Sequence, residues 1–200
     1  MSEITSWGYS IDELKPLVTT SEFDSMTFGR FAGDVRVQPA LDAATAAVRN
    51  YCGWHVGPSA KCSLSARAHE LRMIYSGHDT IIQLPAMFVS AVTKVKVGDY
   101  EITDYSFEPN GLLRIYDTMI GQRKTVISVE YTAGLDADDV KSLIANRAVH
   151  GLAQSYGVQS EAAGGVSVSY AASWLNSAGA SALPDDNRSV LAPYRLQGVF

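Results

Sequence analysis

The 200-residue chain has little of what most functional classes require. No run of about 18 apolar residues occurs, so no helix is expected to span a bilayer. Met1 to Tyr9 lack the basic-then-apolar order of a signal peptide, which leads us to expect a protein made and used in a cytosol. Only two cysteines are present, Cys52 and Cys62; a disulfide scaffold is excluded, and reduced thiols fit that compartment. Charged residues make up 18% of the chain, below the roughly 25% usual for a soluble domain, which leaves surface that can belong to a partner. Net charge is -5, and without a basic excess the chain is not expected to grip nucleic-acid phosphates.

Signatures of chemistry are equally scarce. There is no Gly-x-Ser-x-Gly elbow or local cysteine-histidine signature, and the Gly164-Gly165 pair is not followed by Gly-Lys-Ser or Gly-Lys-Thr. Cys52, His55, Cys62 and His69 offer zinc-ligand types. Their C-x2-H-x6-C-x6-H spacing matches no common zinc module, and Cys52 falls on an apolar helix face, so buried free thiols are expected instead. His78 lies in a turn signal and His150 late in a helix, and both are read as ordinary loop and helix-end residues. Asp136, Asp138 and Asp139 lack calcium-loop spacing and suit a helix start. No catalytic residue, metal or cofactor is expected.

What is present is a pattern of helix, strands and helix. Apolar residues Leu41, Ala44, Val48, Tyr51 and Cys52 recur at helical spacing and predict a helix over about Gln38 to Trp54, with Pro39 in its first turn and Gly53 near its end. After Gly57-Pro58, short β-branched runs predict antiparallel strands at Leu71 to Tyr75, Thr80 to Leu84, Val89 to Val97, Tyr100 to Glu108, Leu112 to Tyr116 and Thr125 to Tyr131. Asn110-Gly111 signals a hairpin, and Gly77-His78-Asp79 and Gly98-Asp99 signal turns. Val140, Leu143, Ile144, Ala148 and Leu152 predict a second helix after Gly134, ending near Gly157. The expected fold is α+β, with two main helices bracketing an antiparallel β-region.

Three parts are expected: an N-terminal docking arm (1–36), a domain of helix, β-region and helix (37–159) and an extended C-terminal tail (160–200). The arm carries scattered apolar anchors and one short helix from Ser10, stopped by Pro16. The tail is rich in Ala, Gly and Ser yet holds Val166, Val168, Tyr170, Trp174, Leu191, Tyr194, Leu196 and Phe200. Linkers seldom carry so many anchors, so it is read as ordering on a partner, with packing on its own domain as the alternative.

The segment from Arg36-Val37-Gln38-Pro39 through Tyr51-Cys52-Gly53-Trp54-His55-Val56 resembles the opening helix of head-to-tail adaptors of long-tailed bacteriophages. The likeness continues through Leu84-Pro85-Ala86, Val89 to Val97, Ile102-Thr103-Asp104-Tyr105, Asn110-Gly111, Val129 to Gly134, Gly164 to Tyr170 and Leu191 to Leu196. Each motif alone is weak; their order carries the resemblance. It implies a structural virion protein, not an enzyme, whose copies form a ring of about twelve beneath the portal vertex. Such a ring binds the portal on one side and a stopper or tail component on the other, while double-stranded DNA passes through the lumen without sequence-specific binding. A mildly anionic wall suits a conduit better than a clamp. The implied place is the virion neck, with assembly in the host cytoplasm. The tail is then expected to dock on the portal or a neighbouring subunit through Tyr170, Trp174, Leu191, Tyr194, Arg195, Leu196 and Phe200. The wider adaptor family is largely helical, whereas this chain places a larger β-region between its helices. Rival readings are a stopper or tail terminator, which are shorter and more purely β, and a small metal-binding domain.

Overall fold

The computed structural model describes residues 3–4, 7–116, 120, 125–153, 160–163, 166–169 and 183–196. The chain divides into two compact units, each assembled from separate stretches of sequence: Met1–Lys15, Cys52–Asp136 and Tyr194–Phe200 form one, and Pro16–Tyr51 with Ala137–Pro193 the other.

The first unit is antiparallel β. Its strands are β1 (Glu3–Ile4), β2 (Tyr9–Ile11), β3 (Ala60–Arg67), β4 (Met73–Ser76), β5 (Asp79–Gln83), β6 (Val89–Val97), β7 (Tyr100–Ile102), β8 (Tyr105–Phe107), β9 (Leu112–Ile115) and β10 (Val126–Ala133). A six-stranded sheet runs β1-β2-β3-β10-β6-β7 and a four-stranded sheet β4-β5-β9-β8. On β10, Ile127, Val129, Tyr131 and Ala133 alternate inward, and Cys62 and Leu64 on β3 do the same. The outward partners are polar: Ser63 stands opposite Glu130, which stands opposite Lys94. This period of two gives a strand one dry and one wet face.

The run expected as one strand from Tyr100 to Glu108 is two. Its first half turns back on β6, with Ile102 opposite Val95, while its second half pairs with β9 in the other sheet. The break falls at Thr103-Asp104, where the Asp104 carbonyl accepts the Tyr116 N–H at 3.2 Å. The turn signals hold: Gly77, Gly98 and Gly111 all take positive φ. A methyl group at Gly111 would meet the Ala86 carbonyl, so that turn tolerates no side chain.

Two further readings are corrected. The short helix expected from Ser10 is strand β2, because Tyr9 and Ile11 alternate inward against β3, an outlet that a four-residue helix before Pro16 lacks. Strand β3 was absent from the expected set and is central, flanked by β2 and β10.

The second unit holds α1 (Thr20–Met26), α2 (Val37–Cys52), α3 (Asp138–Ala153), the hairpin β11 (Ser160–Ala163) and β12 (Val166–Ser169), and α4 (Asp185–Leu191). Helix α1 starts in a capping box: the Thr19 hydroxyl accepts the Glu22 N–H, and the Glu22 carboxylate accepts the Thr19 N–H at 2.8 Å. Helix α2 buries Leu41, Ala44, Val48 and Cys52, and α3 buries Val140, Leu143, Ile144, Ala148 and Leu152, the faces expected from their spacing. Lys141 of α3 reaches Glu22 of α1 at 2.9 Å, and the Tyr51 hydroxyl donates to the Arg188 carbonyl of α4 at 3.4 Å. The fold is therefore α+β, as expected; among the described residues the two long helices α2 and α3 are accompanied by the short helices α1 and α4. Among the described residues no helix is long and apolar enough to cross a membrane.

Candidate partner-binding site

The sequence nominated seven contact residues in the C-terminal segment. Tyr170, Trp174 and Phe200 lie outside the described residues. Leu191 closes α4 and is wholly buried in the second unit. Tyr194, Arg195 and Leu196 belong to the first unit, where backbone geometry holds them. The Leu196 N–H donates to the Cys52 carbonyl at 3.0 Å, and the Trp54 indole N–H donates to the Tyr194 carbonyl at 2.7 Å. Trp54 stacks on Phe88 at 6.1 Å between centroids, and Phe88 meets Tyr194 at 6.0 Å. The structure thus seats Tyr194 on an aromatic shelf built by Trp54 and Phe88, while Leu196 is tied through its backbone to Cys52 beside Gly53. Leu196 is turned inward, Tyr194 is half-buried, and Arg195 is exposed.

Beneath this shelf the residues that resembled metal ligands have other roles. The His55 Nε2–H donates to the Ala133 carbonyl at 3.0 Å, and its Nδ1 accepts from the Tyr9 hydroxyl at 2.9 Å. The Tyr9 oxygen in turn accepts the His55 backbone N–H at 3.2 Å. Because a carbonyl only accepts, this network fixes the tautomer and engages both ring nitrogens. Burial pushes the Cys52 and Cys62 thiols up to about 12, where they are protonated and poor ligands. His69 is exposed beside Glu70, 3.8 Å away. Among the described residues no group of three or more His, Cys, Asp or Glu converges. His78 and His150 are exposed. Asp138 and Asp139 occupy the first turn of α3, on the favourable side of its dipole.

Sequence reasoning counted Phe28 among the scattered apolar anchors of the arm (1–36) but did not single out Val35, Tyr100 or Ile74. Phe28, directly after α1, is 97% exposed, and Val35 is 88% exposed. In the first unit Tyr100 of β7 is 79% exposed and Ile74 of β4 is 54% exposed. For the others no local pattern gives a signal, because exposure is set by what fails to pack above a residue.

No curated protein matches the chain. One family profile, described as head completion protein, matches residues 17–196 and so spans both units apart from the first strands and the last few residues. That span, covering most of the chain, shows that the chain belongs to the head completion protein family, structural proteins of the bacteriophage head-tail connection.

Proposed function

We propose that the protein is a head-to-tail adaptor, one subunit of a twelve-membered ring between the portal and the tail-side neck proteins, with double-stranded DNA passing through its lumen. The single observation that carries this reading is the family match over residues 17–196. A neck component must touch the portal on one side and tail components on the other, and it must repeat around an axis. Low charge and exposed apolar residues on both units support such contacts, and net charge -5 supports a passage that does not hold DNA. The division into arm (1–36), central domain (37–159) and docking tail (160–200) belongs to the same reading. So do the contact residues Tyr170, Trp174, Leu191, Tyr194, Arg195, Leu196 and Phe200. Of these, Arg195 and the accessible part of Tyr194 offer themselves directly, while Leu191 and Leu196 act by holding that stretch in place. The protein works in the virion neck and is assembled in the host cytoplasm.

The test is native mass spectrometry of the purified chain mixed with portal rings of the same phage. A discrete complex of twelve chains on one portal ring is the expected result. A folded chain that leaves the portal empty at high concentration would sink the adaptor reading in favour of a stopper or terminator.

A further inference from the structure

Phe28 and Tyr100 are the two most exposed aromatic side chains among the described residues, at 97% and 79%. An aromatic ring held in water on a fixed backbone is the residue type that anchors protein interfaces, because it buries a large area at little cost in side-chain freedom. Both backbones are fixed. Phe28 keeps φ 54, a conformation unfavourable to any side chain, on a turn closed by the Gly29 N–H to the Asp24 carbonyl and by the Arg30 N–H to the Thr27 carbonyl at 3.1 Å. Tyr100 opens β7 directly after the two-residue turn Gly98-Asp99, where Gly98 takes the positive φ and Tyr100 stands opposite Val97.

The neighbours of the two rings carry opposite charge. On the first patch Arg30 and Met26 are exposed on either side of Phe28, and Met, Phe and Arg are the residues enriched at protein contacts. Among the described residues no carboxylate pairs with Arg30, whose guanidinium lies 5.3 Å over the Phe31 ring. On the second patch Tyr100 stands between Asp99 and Glu101, both exposed. Among the described residues neither carboxylate has an ion pair, and Lys96, opposite Glu101 on β6, forms none with it. Two Phe28 turns set face to face would bring arginine to arginine, and two Tyr100 hairpins carboxylate to carboxylate. Turn against hairpin matches ring with ring and charge with countercharge.

From this complementarity we propose that the Phe28 turn of one copy of this chain docks on the Tyr100 hairpin of a second copy, with the two rings in contact and Arg30 facing Asp99 and Glu101. The proposal rests on the adaptor reading and supplies its lateral contact. Because the two patches differ, the contact is heterologous. Each copy presents a turn to one neighbour and a hairpin to the other, an arrangement that repeats around an axis and can close into a ring.

Charge reversal in the full chain, read by native mass spectrometry of mixtures with portal rings, tests it. Arg30→Glu alone, and Asp99→Lys together with Glu101→Lys, should each raise the chain concentration needed to load the portal about tenfold or more. The triple variant, which exchanges the charges between the two patches, should load it near the wild-type concentration. Phe28→Gly should impair loading as strongly as Arg30→Glu. All four sites are exposed, so circular dichroism of each free variant should match the wild type. Loading of Arg30→Glu or Phe28→Gly at the wild-type concentration would overturn the proposal and leave the adaptor reading intact. So would losses that the triple variant does not recover, which would set the patches against the portal or a tail-side protein instead of a second copy. Portal rings left empty by the wild-type chain would remove the adaptor reading and the lateral contact together.

Discussion

Phe28 occupies a position where glycine is the ordinary residue. Helix α1 ends in a Schellman arrangement, with the Gly29 N–H donating to the Asp24 carbonyl at 2.8 Å and the Phe28 N–H to the Ser25 carbonyl at 3.4 Å. That geometry puts Phe28 at φ 54, a region costing a side-chain-bearing residue about 1 kcal/mol, and the ring recovers nothing because it is 97% exposed. Phe28→Gly is therefore expected to raise stability by about 1 kcal/mol in urea unfolding, the opposite of the usual effect of removing a phenylalanine. A loss of stability would mean that the ring packs on its own chain. Val56 is strained in the same sense. It sits at φ 64 within a γ-turn closed by the Gly57 N–H and the His55 carbonyl at 2.7 Å, and a methyl group at Gly57 would collide with the Leu135 carbonyl. Tyr131 adds a third irregularity, a buried hydroxyl with no hydrogen-bond partner among the described residues.

At the scale of elements, α1 and α3 are tied by a charge. Hydrogen bonds from the Thr19 backbone and from Lys141 hold the Glu22 carboxyl at about 2, below its ordinary 4.5. A carboxyl lowered in the folded state stabilises fully above its unfolded value and loses that contribution as pH falls through the folded one. Acid unfolding of wild type and Glu22→Gln should thus converge between about pH 5 and pH 2, from a gap near pH 7 of roughly 1 kcal/mol, kept small because the carboxylate is solvent-exposed and screened. A gap that persists at pH 2 would show that the carboxylate charge is not what joins the helices. The elements themselves were unequally legible in sequence. Helices α2 and α3 could be read because their apolar residues repeat over several turns. Strand β3 alternates just as regularly, yet its inward residues are Cys62, Leu64 and Ala66, set among serines; small side chains weaken the hydrophobic signal, and its cysteine drew attention as a ligand instead.

Across the whole molecule, Cys52 and Cys62 report on whether the core closes. With both thiols pushed up to about 12 by burial, the native thiolate population at pH 8 is lower by about a thousandfold than in the unfolded chain, and reaction with a disulfide reagent should slow accordingly. The same raised values mean that stability conferred by the buried thiols is complete below about pH 9 and is lost as pH rises toward 12. Fast labelling of either cysteine in the folded protein would contradict the burial that disqualifies them as metal ligands. By itself the sequence determined the class of fold, the two long helices and the turns, because periodicity and glycine-bearing turns act over a few neighbouring residues. Tertiary structure alone decided how Tyr100 to Phe107 divides between two sheets, where Tyr194 and Leu196 come to rest, and that Phe28 and Ile74 stay uncovered. Those outcomes depend on pairing and packing between residues distant along the chain, which no local pattern encodes.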